Sequence, residues 1–265
     1  MVSVNGLEIA HRQSTGTGRP VVLVHGNSSS SRTWQPLLDG PFGRRFRCLA
    51  PDLPGHGGSQ RPDGGYSMAT FTSVVAGFAE VVGALDAVFV GWSLGGHIVL
   101  EASPQLPDAA GYAVFGTPPL PDPSAIPLGY LPNPAVGVGF VGEVSEADAE
   151  AYASAQLAPG SSRSLHGAIA DILATDPAAR EGIGAAIGTG AFADEAAIVA
   201  GLDKPLAVLH GREEQLVSLD YLRGLKIPTL WRGGVQVLDG VGHTPHEEDP
   251  EAFAALLAEF VDGLD

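Results

Sequence analysis

The sequence predicts an α/β fold class: a mostly parallel sheet flanked by helices, with a helical segment inserted late in the chain. Three observations carry this. Short β-branched runs alternate with helix-like stretches up to about residue 118, as expected of strands buried on both faces between crossover helices. Each run ends in a cluster of Gly, Pro, Ser, Asn or Asp, so polar loops collect along one edge of the sheet. The rhythm then stops near Leu120, gives way to Pro-, Gly- and Ala-rich pieces up to about Ala200, and resumes.

Taken in order, Val2 to Ile9 reads as an opening strand or a hairpin around Asn5-Gly6, a turn-prone pair. Pro20 to His25 is a continuous strand run leading into His25-Gly26-Asn27-Ser28-Ser29-Ser30, a polar loop able to cap the helix near Trp34. Arg45 to Ala50 is the next strand, ending in the turn cluster Pro51 to Ser59. A helix opens at Tyr66-Ser67-Met68 and extends towards Leu85. Val88 to Val90 and Ala113 to Phe115 are further strands, so His25, Asp52, Ser93 and Thr117 all fall just past strand ends on a shared rim. Helical pieces are expected near Ser145–Gln156, Ser164–Leu173 and Ala191–Ala200, with no strand among them. Loops of this length are rare unless functional, so the segment reads as a helical cap over the rim. The expected division is a core of residues 1–118 and 201–265 and a cap of residues 119–200. Strands return at Pro205–Leu209 and Gln236–Leu238, and a helix from Pro250 to Val261 closes the chain.

Composition narrows the function classes. The 265 residues suffice for one large α/β domain or two small ones. A net charge of −16 without a Lys/Arg cluster argues against nucleic acid and against an anionic membrane surface. No apolar run approaches the roughly 18 residues of a membrane span. Met1 to Thr15 lacks a basic region followed by an apolar one, so no secretory signal is expected. Cys48 is the single cysteine and sits in an apolar run, which suits a buried thiol in a reducing, cytoplasmic setting. The chain has no phosphate-binding Gly-x-x-x-x-Gly-Lys-Ser/Thr loop, no Cys-x-x-Cys pair and no His-x-x-x-His pair, so a metal or organic cofactor has no direct support.

Gly91-Trp92-Ser93-Leu94-Gly95 carries the chemistry. Gly-x-Ser-x-Gly after a strand and before a helix puts the serine on a sharp turn with its oxygen projecting from the sheet. The helix start behind it offers unpaired N–H groups to a developing negative charge. In so glycine-rich a chain the motif alone also fits a plain packing turn, so partners decide. A carboxylate follows the strand ending at Leu209, as Glu213 or Glu214, and a histidine follows the strand ending at Leu238, as His243 or His246. The order Ser, acid, His is that of an α/β-hydrolase sheet. The glycine before His243 makes a tight loop and favours it as base over His246, whose other reading is a rim residue touching cap or substrate. Backbone N–H groups of Leu94 and Asn27 would form the oxyanion hole; Asn27 reads equally as a loop or capping residue. His25 and His56, each beside a glycine in a turn, read as structural, and His97 reads as core.

The chain resembles the α/β-hydrolase family over nearly its whole length. His25-Gly26, Pro51 to Gly57, Gly91 to Gly96 and Gly242-His243 fall where that family carries its landmarks. The resemblance implies a mostly parallel eight-stranded sheet with an inserted helical cap. The chain is also similar to a narrower group, the metal-independent N-acyl-homoserine lactonases. The matching pieces are His25 to Ser30, Gly91 to His97, Gly116 to Pro119, Ser145-Glu146 with Tyr152-Ala153, and Gly211 to Glu214. It departs from that group at His246, where the group carries Phe, and over most of the cap.

That resemblance implies Glu214 as the triad acid, with Glu213 the competitor. It also implies that Tyr152 hydrogen-bonds the amide of a homoserine lactone. Trp92 flanks the nucleophile and is placed with Tyr152 and His246 among candidate substrate contacts, although core packing is its ordinary role. Ile126, Leu128, Tyr130, Leu131, Val136 and Phe140 either line an acyl-chain pocket or seal the sheet. The expected activity is a serine hydrolase opening the lactone ring of N-acyl-homoserine lactones, that is, quorum quenching, with a small-molecule ester or lactone as its partner. Alternatives on the same fold are a general carboxylesterase, a cofactor-free perhydrolase and a carbon–carbon bond hydrolase. From another class comes a ligand-binding receptor that keeps all three residues. The oligomeric state is left open by the sequence.

Overall fold

The computed structural model describes residues 1–63 and 65–264. Strands β1 (Val2–Val4) and β2 (Leu7–Ile9) pair antiparallel as the expected hairpin. Asn5 and Gly6 between them sit at φ 52° and 82°, the left-handed conformations that a two-residue turn of this kind demands. The remaining strands are β3 (His11–Gln13), β4 (Gly18–Val24), β5 (Phe46–Pro51), β6 (Val88–Trp92), β7 (Gly111–Phe115), β8 (Leu206–Gly211) and β9 (Gln236–Leu238). They form one sheet in the order β3-β5-β4-β6-β7-β8-β9, antiparallel at β3 and parallel elsewhere.

The described main sheet therefore has seven strands where eight were expected. The hairpin stays apart because it is tied to a helix instead: Asn5 Nδ2 donates to Ser73 Oγ at 2.8 Å and to the Ser73 carbonyl at 3.1 Å. Strand β3 was not foreseen. Its His-Arg-Gln sequence has no apolar period, and it exists because one face of an edge strand can remain in water.

Strands β6, β7 and β8 are buried along their whole length. Alternate residues serve opposite faces, so Phe89 enters one core and Val88 and Val90 the other. The first core packs beneath helices α1 (Met68–Val81) and α2 (Leu94–Ala102); Ser67 caps α1 by accepting from the Thr70 N–H at 3.1 Å. The second packs against Trp34, Phe42 and the terminal helix Pro250–Asp262. Between β7 and β8 the described chain adds helices and no strand of the sheet: α3 (Glu146–Ala155), α4 (His166–Ala174), α5 (Pro177–Thr189) and α6 (Glu195–Gly201). A Ser145–Asp148 capping box starts α3, and Asp176 followed by Pro177 starts α5.

Candidate active site

Ser93 stands between β6 and α2 at φ 53°, ψ −120°. A non-glycine residue there carries strain on the order of 1–3 kcal/mol, which the surroundings must impose. They do: the Ser93 N–H donates to the Phe115 carbonyl at 2.9 Å, and its carbonyl accepts from Thr117 Oγ1 and the Gly96 N–H, both at 2.8 Å. The flanking glycines are close-approach positions, since a Cβ on Gly91 would strike the Gly95 carbonyl and one on Gly95 would strike the Val24 carbonyl.

The His243 loop is held from both sides. Its N–H donates to the Gln156 carbonyl at 2.9 Å, and its carbonyl accepts from Trp92 Nε1 at 2.9 Å. Glu248 fixes the loop below by accepting from the Gly242 and Ala158 N–H groups, each at 2.7 Å. Gly116, at φ +62°, leaves room for the imidazole; a Cβ there would lie 2.5 Å from His243 Cε1. His243 Nδ1 meets Glu214 Oε2 at 2.7 Å, with side-chain exposures of 4% and 1%. Glu214 Oε1 accepts from the Leu216 N–H at 2.8 Å. Burial pushes the Glu214 carboxyl up, but the adjoining imidazole and these hydrogen bonds outweigh it and hold the pKa below the ordinary value. Glu213 instead accepts from the Gly240 N–H at 2.9 Å on the exposed side of the loop.

Ser93, His243, Leu94, Asn27 and Tyr152 line one mostly apolar cavity of about 150 Å³. The backbone N–H groups of Leu94 and Asn27 make no hydrogen bond among the described residues, and neither does the Ser93 hydroxyl. Hydrogen bonds of a nucleophile to its base are commonly loose before a ligand binds. Asn27 also ties down the 134–140 stretch between β7 and β8, its Nδ2 donating to the Gly139 carbonyl at 2.6 Å. The Tyr152 hydroxyl lies against that same glycine, with its pKa pushed up to about 12 by burial.

Two candidate substrate contacts are placed elsewhere. Trp92 lies outside the cavity lining; its indole N–H holds the His243 carbonyl and its ring belongs to the second core. His246 is also outside, 1% exposed, with Nε2 2.7 Å from Thr33 Oγ1 and rings of Trp34, Trp92 and Phe115 around it. Burial lowers its pKa well below the ordinary value, which keeps it neutral. It is an aromatic filler beneath the site rather than a base or rim contact. Of the apolar cap residues, Ile126, Tyr130, Val136 and Phe140 line the cavity, whereas Leu128 and Leu131 are 65% and 37% exposed. His25 and His56 brace loops: the Leu53 N–H donates to His25 Nε2 at 2.9 Å, and His56 Nδ1 lies 2.9 Å from the Pro54 carbonyl.

His97 differs most from its reading as core. It lines the cavity, with Nδ1 2.8 Å from both Glu195 oxygens and Nε2 3.0 Å from the Tyr130 hydroxyl. No sequence signal pairs it with a cap residue 98 positions away.

Among the described residues no group of His, Cys, Asp and Glu side chains is arranged to hold a metal ion, and no helix is long and apolar enough to cross a membrane. A model of the alpha/beta hydrolase family matches residues 21–256. The chain is similar to N-acyl homoserine lactonase AidH, solved in complex with N-hexanoyl homoserine lactone: 36% identity over 96% of this chain and 93% of that one, with a TM-score of 0.91. It is 29% identical to the pimeloyl-[acyl-carrier protein] methyl ester esterase of Aromatoleum aromaticum, over 92% of this chain and 98% of that one. A protein of Mycobacterium tuberculosis whose name gives no activity is 33% identical over 105 residues, which span only 30% of its length.

Proposed function

This chain belongs to the alpha/beta hydrolase family, and from that premise we propose that it is a serine hydrolase opening the lactone ring of N-acyl-homoserine lactones. The observation that carries the reading is the buried 2.7 Å contact between His243 Nδ1 and Glu214, in the same cavity wall as the strained Ser93. Similarity to the AidH lactonase over 96% of the chain supports the substrate class. Residues 119–200 act as the cap that closes the site.

The steps follow from the residues. A serine hydroxyl is a weak nucleophile at neutral pH, so His243 Nε2 takes its proton as Ser93 Oγ attacks the lactone carbonyl. Glu214 accepts from Nδ1–H, fixes the tautomer and offsets the charge of the imidazolium. The oxyanion is received by the unpaired N–H groups of Leu94 and Asn27. The ring oxygen leaves with the proton from His243, giving an acyl-enzyme. Water deprotonated by His243 then cleaves the ester to Ser93 and restores the hydroxyl.

A second reading, a general carboxylesterase, is favoured by the similarity to a methyl ester esterase over 92% of the chain. Incubation with N-hexanoyl homoserine lactone and with p-nitrophenyl esters, each with and without EDTA, separates the two. We expect ring opening by mass spectrometry at a kcat/KM above that for the esters, unaffected by chelator and abolished in Ser93→Ala. Lactone turnover no better than ester turnover assigns the esterase. Tight ligand binding without turnover or fluorophosphonate labelling removes the enzyme reading in favour of a receptor.

A further inference from the structure

The cavity has a second polar wall. His97 lies one turn further along α2 than Ser93, about 6 Å deeper by the helical rise. Its Nδ1, within 2.8 Å of both oxygens of the Glu195 carboxylate, carries a hydrogen and donates it. Burial opposes a second proton on this ring, but the Glu195 carboxylate outweighs burial and raises the pKa. When both ring nitrogens carry hydrogen, Nε2 donates to the Tyr130 oxygen, 3.0 Å away. The tyrosine's own hydrogen must then point elsewhere. Tyr130 lines the cavity, and its hydroxyl has no other hydrogen-bond partner among the described residues. Glu101, one turn beyond His97 on the same helix, also lines the cavity, with its Oε1 buried and unpartnered.

Resting on the hydrolase reading above, we propose that Tyr130 and Glu101, braced by His97 and Glu195, form a subsite for a keto or hydroxyl oxygen partway along the substrate's acyl chain. A saturated chain in this position would leave a buried donor and a buried acceptor unpaired, which is the costly arrangement. An anionic tail would face the carboxyl groups of Glu101 and Glu195. A neutral oxygen avoids that penalty: a keto group accepts from the Tyr130 hydroxyl, and a hydroxyl group also donates to Glu101 Oε1.

The test compares N-hexanoyl, N-(3-oxohexanoyl) and N-(3-hydroxyhexanoyl) homoserine lactone. The protein should favour both oxygenated chains by about tenfold in kcat/KM, chiefly through KM. In Tyr130→Phe the ratio of oxygenated to plain should collapse towards one, and in Glu101→Gln the hydroxyl chain should lose more of its advantage than the keto chain. Calorimetric binding of the same three ligands to Ser93→Ala gives the ratio without turnover. If no ligand is hydrolysed, the proposed reaction fails while this binding ratio still decides the subsite. A ratio near one in the unaltered protein, or one that Tyr130→Phe leaves in place, overturns the subsite.

Discussion

At Ser93 the geometry demanded by the turn and the geometry preferred by an L-residue are opposed, and φ 53° with ψ −120° shows which prevails. Removing the side chain should therefore relieve strain on the order of 1–3 kcal/mol, less about 0.4–1 kcal/mol for the extra freedom of glycine in the unfolded chain. Ser93→Gly should lose all turnover yet melt about 2–4 °C higher, read by thermal unfolding. An unchanged or lower melting temperature would mean that the turn is not strained. The two neighbouring glutamates make a sharper contrast. Glu214→Gln keeps the shape but presents the wrong hydrogen-bonding pattern to Nδ1, and should lower kcat about 10³- to 10⁴-fold. Glu213, bonded to the Gly240 N–H outside the cavity, should tolerate the same change with kcat within about twofold. Equal losses in both would remove Glu214 from its assigned role. That Ser93, Glu214 and His243 reach one rim was legible from their positions just past strand ends. The seats of Trp92 and His246 were not legible, because each is set by a distant partner, the His243 carbonyl for one and Thr33 for the other.

At the scale of elements, the parallel strands were readable because burial on both faces leaves an uninterrupted apolar run. Helix α5 was not, since Gly182, Gly184 and Gly188 lower its propensity and blur its apolar stripe. Tertiary contacts supply what propensity lacks. Arg180, 2% exposed, donates from Nε to the Val141 carbonyl at 2.9 Å, and from its two terminal nitrogens to the carbonyls of Ile172 at 2.9 Å and Gly142 at 2.6 Å. One guanidinium thus ties α5 to α4 and to the 134–142 stretch. Arg180→Met fills much of the volume but orphans the buried carbonyls of Ile172 and Gly142, a loss of at least about 2 kcal/mol. The cap should then be cut first in limited proteolysis, between residues 120 and 200, while the sheet signal in circular dichroism persists. Wild-type resistance to protease would show that packing alone holds the cap.

Across the whole molecule, stability should vary with pH partly through the Glu195–His97–Tyr130 wall, where α6 meets α2. Burial first, and the Glu195 charge second, push the Glu101 carboxyl up to about 7 from 4.5. His97 is likewise raised from 6.5, burial notwithstanding, by Glu195. Both groups bind a proton more tightly folded than unfolded. The Glu101 contribution is therefore complete below pH 4.5 and lost as pH climbs through about 7. That of His97 is complete below 6.5 and lost as pH passes its raised value. Glu214 runs the other way, its contribution present above 4.5 and lost on acidification. Stability should accordingly decline from pH 5 to pH 8 for a reason located at the cavity wall, on top of the general self-repulsion of a chain with net charge −16. An amide cannot ionise, so Glu101→Gln escapes its share of that decline. Melting temperatures of the two proteins, taken at constant ionic strength to hold screening fixed, should differ more at pH 8 than at pH 5, with the variant gaining. A gap that is equal at both pH values would mean that Glu101 sheds its proton as readily in the fold as in the open chain, and that the alkaline loss belongs to the surface charge instead.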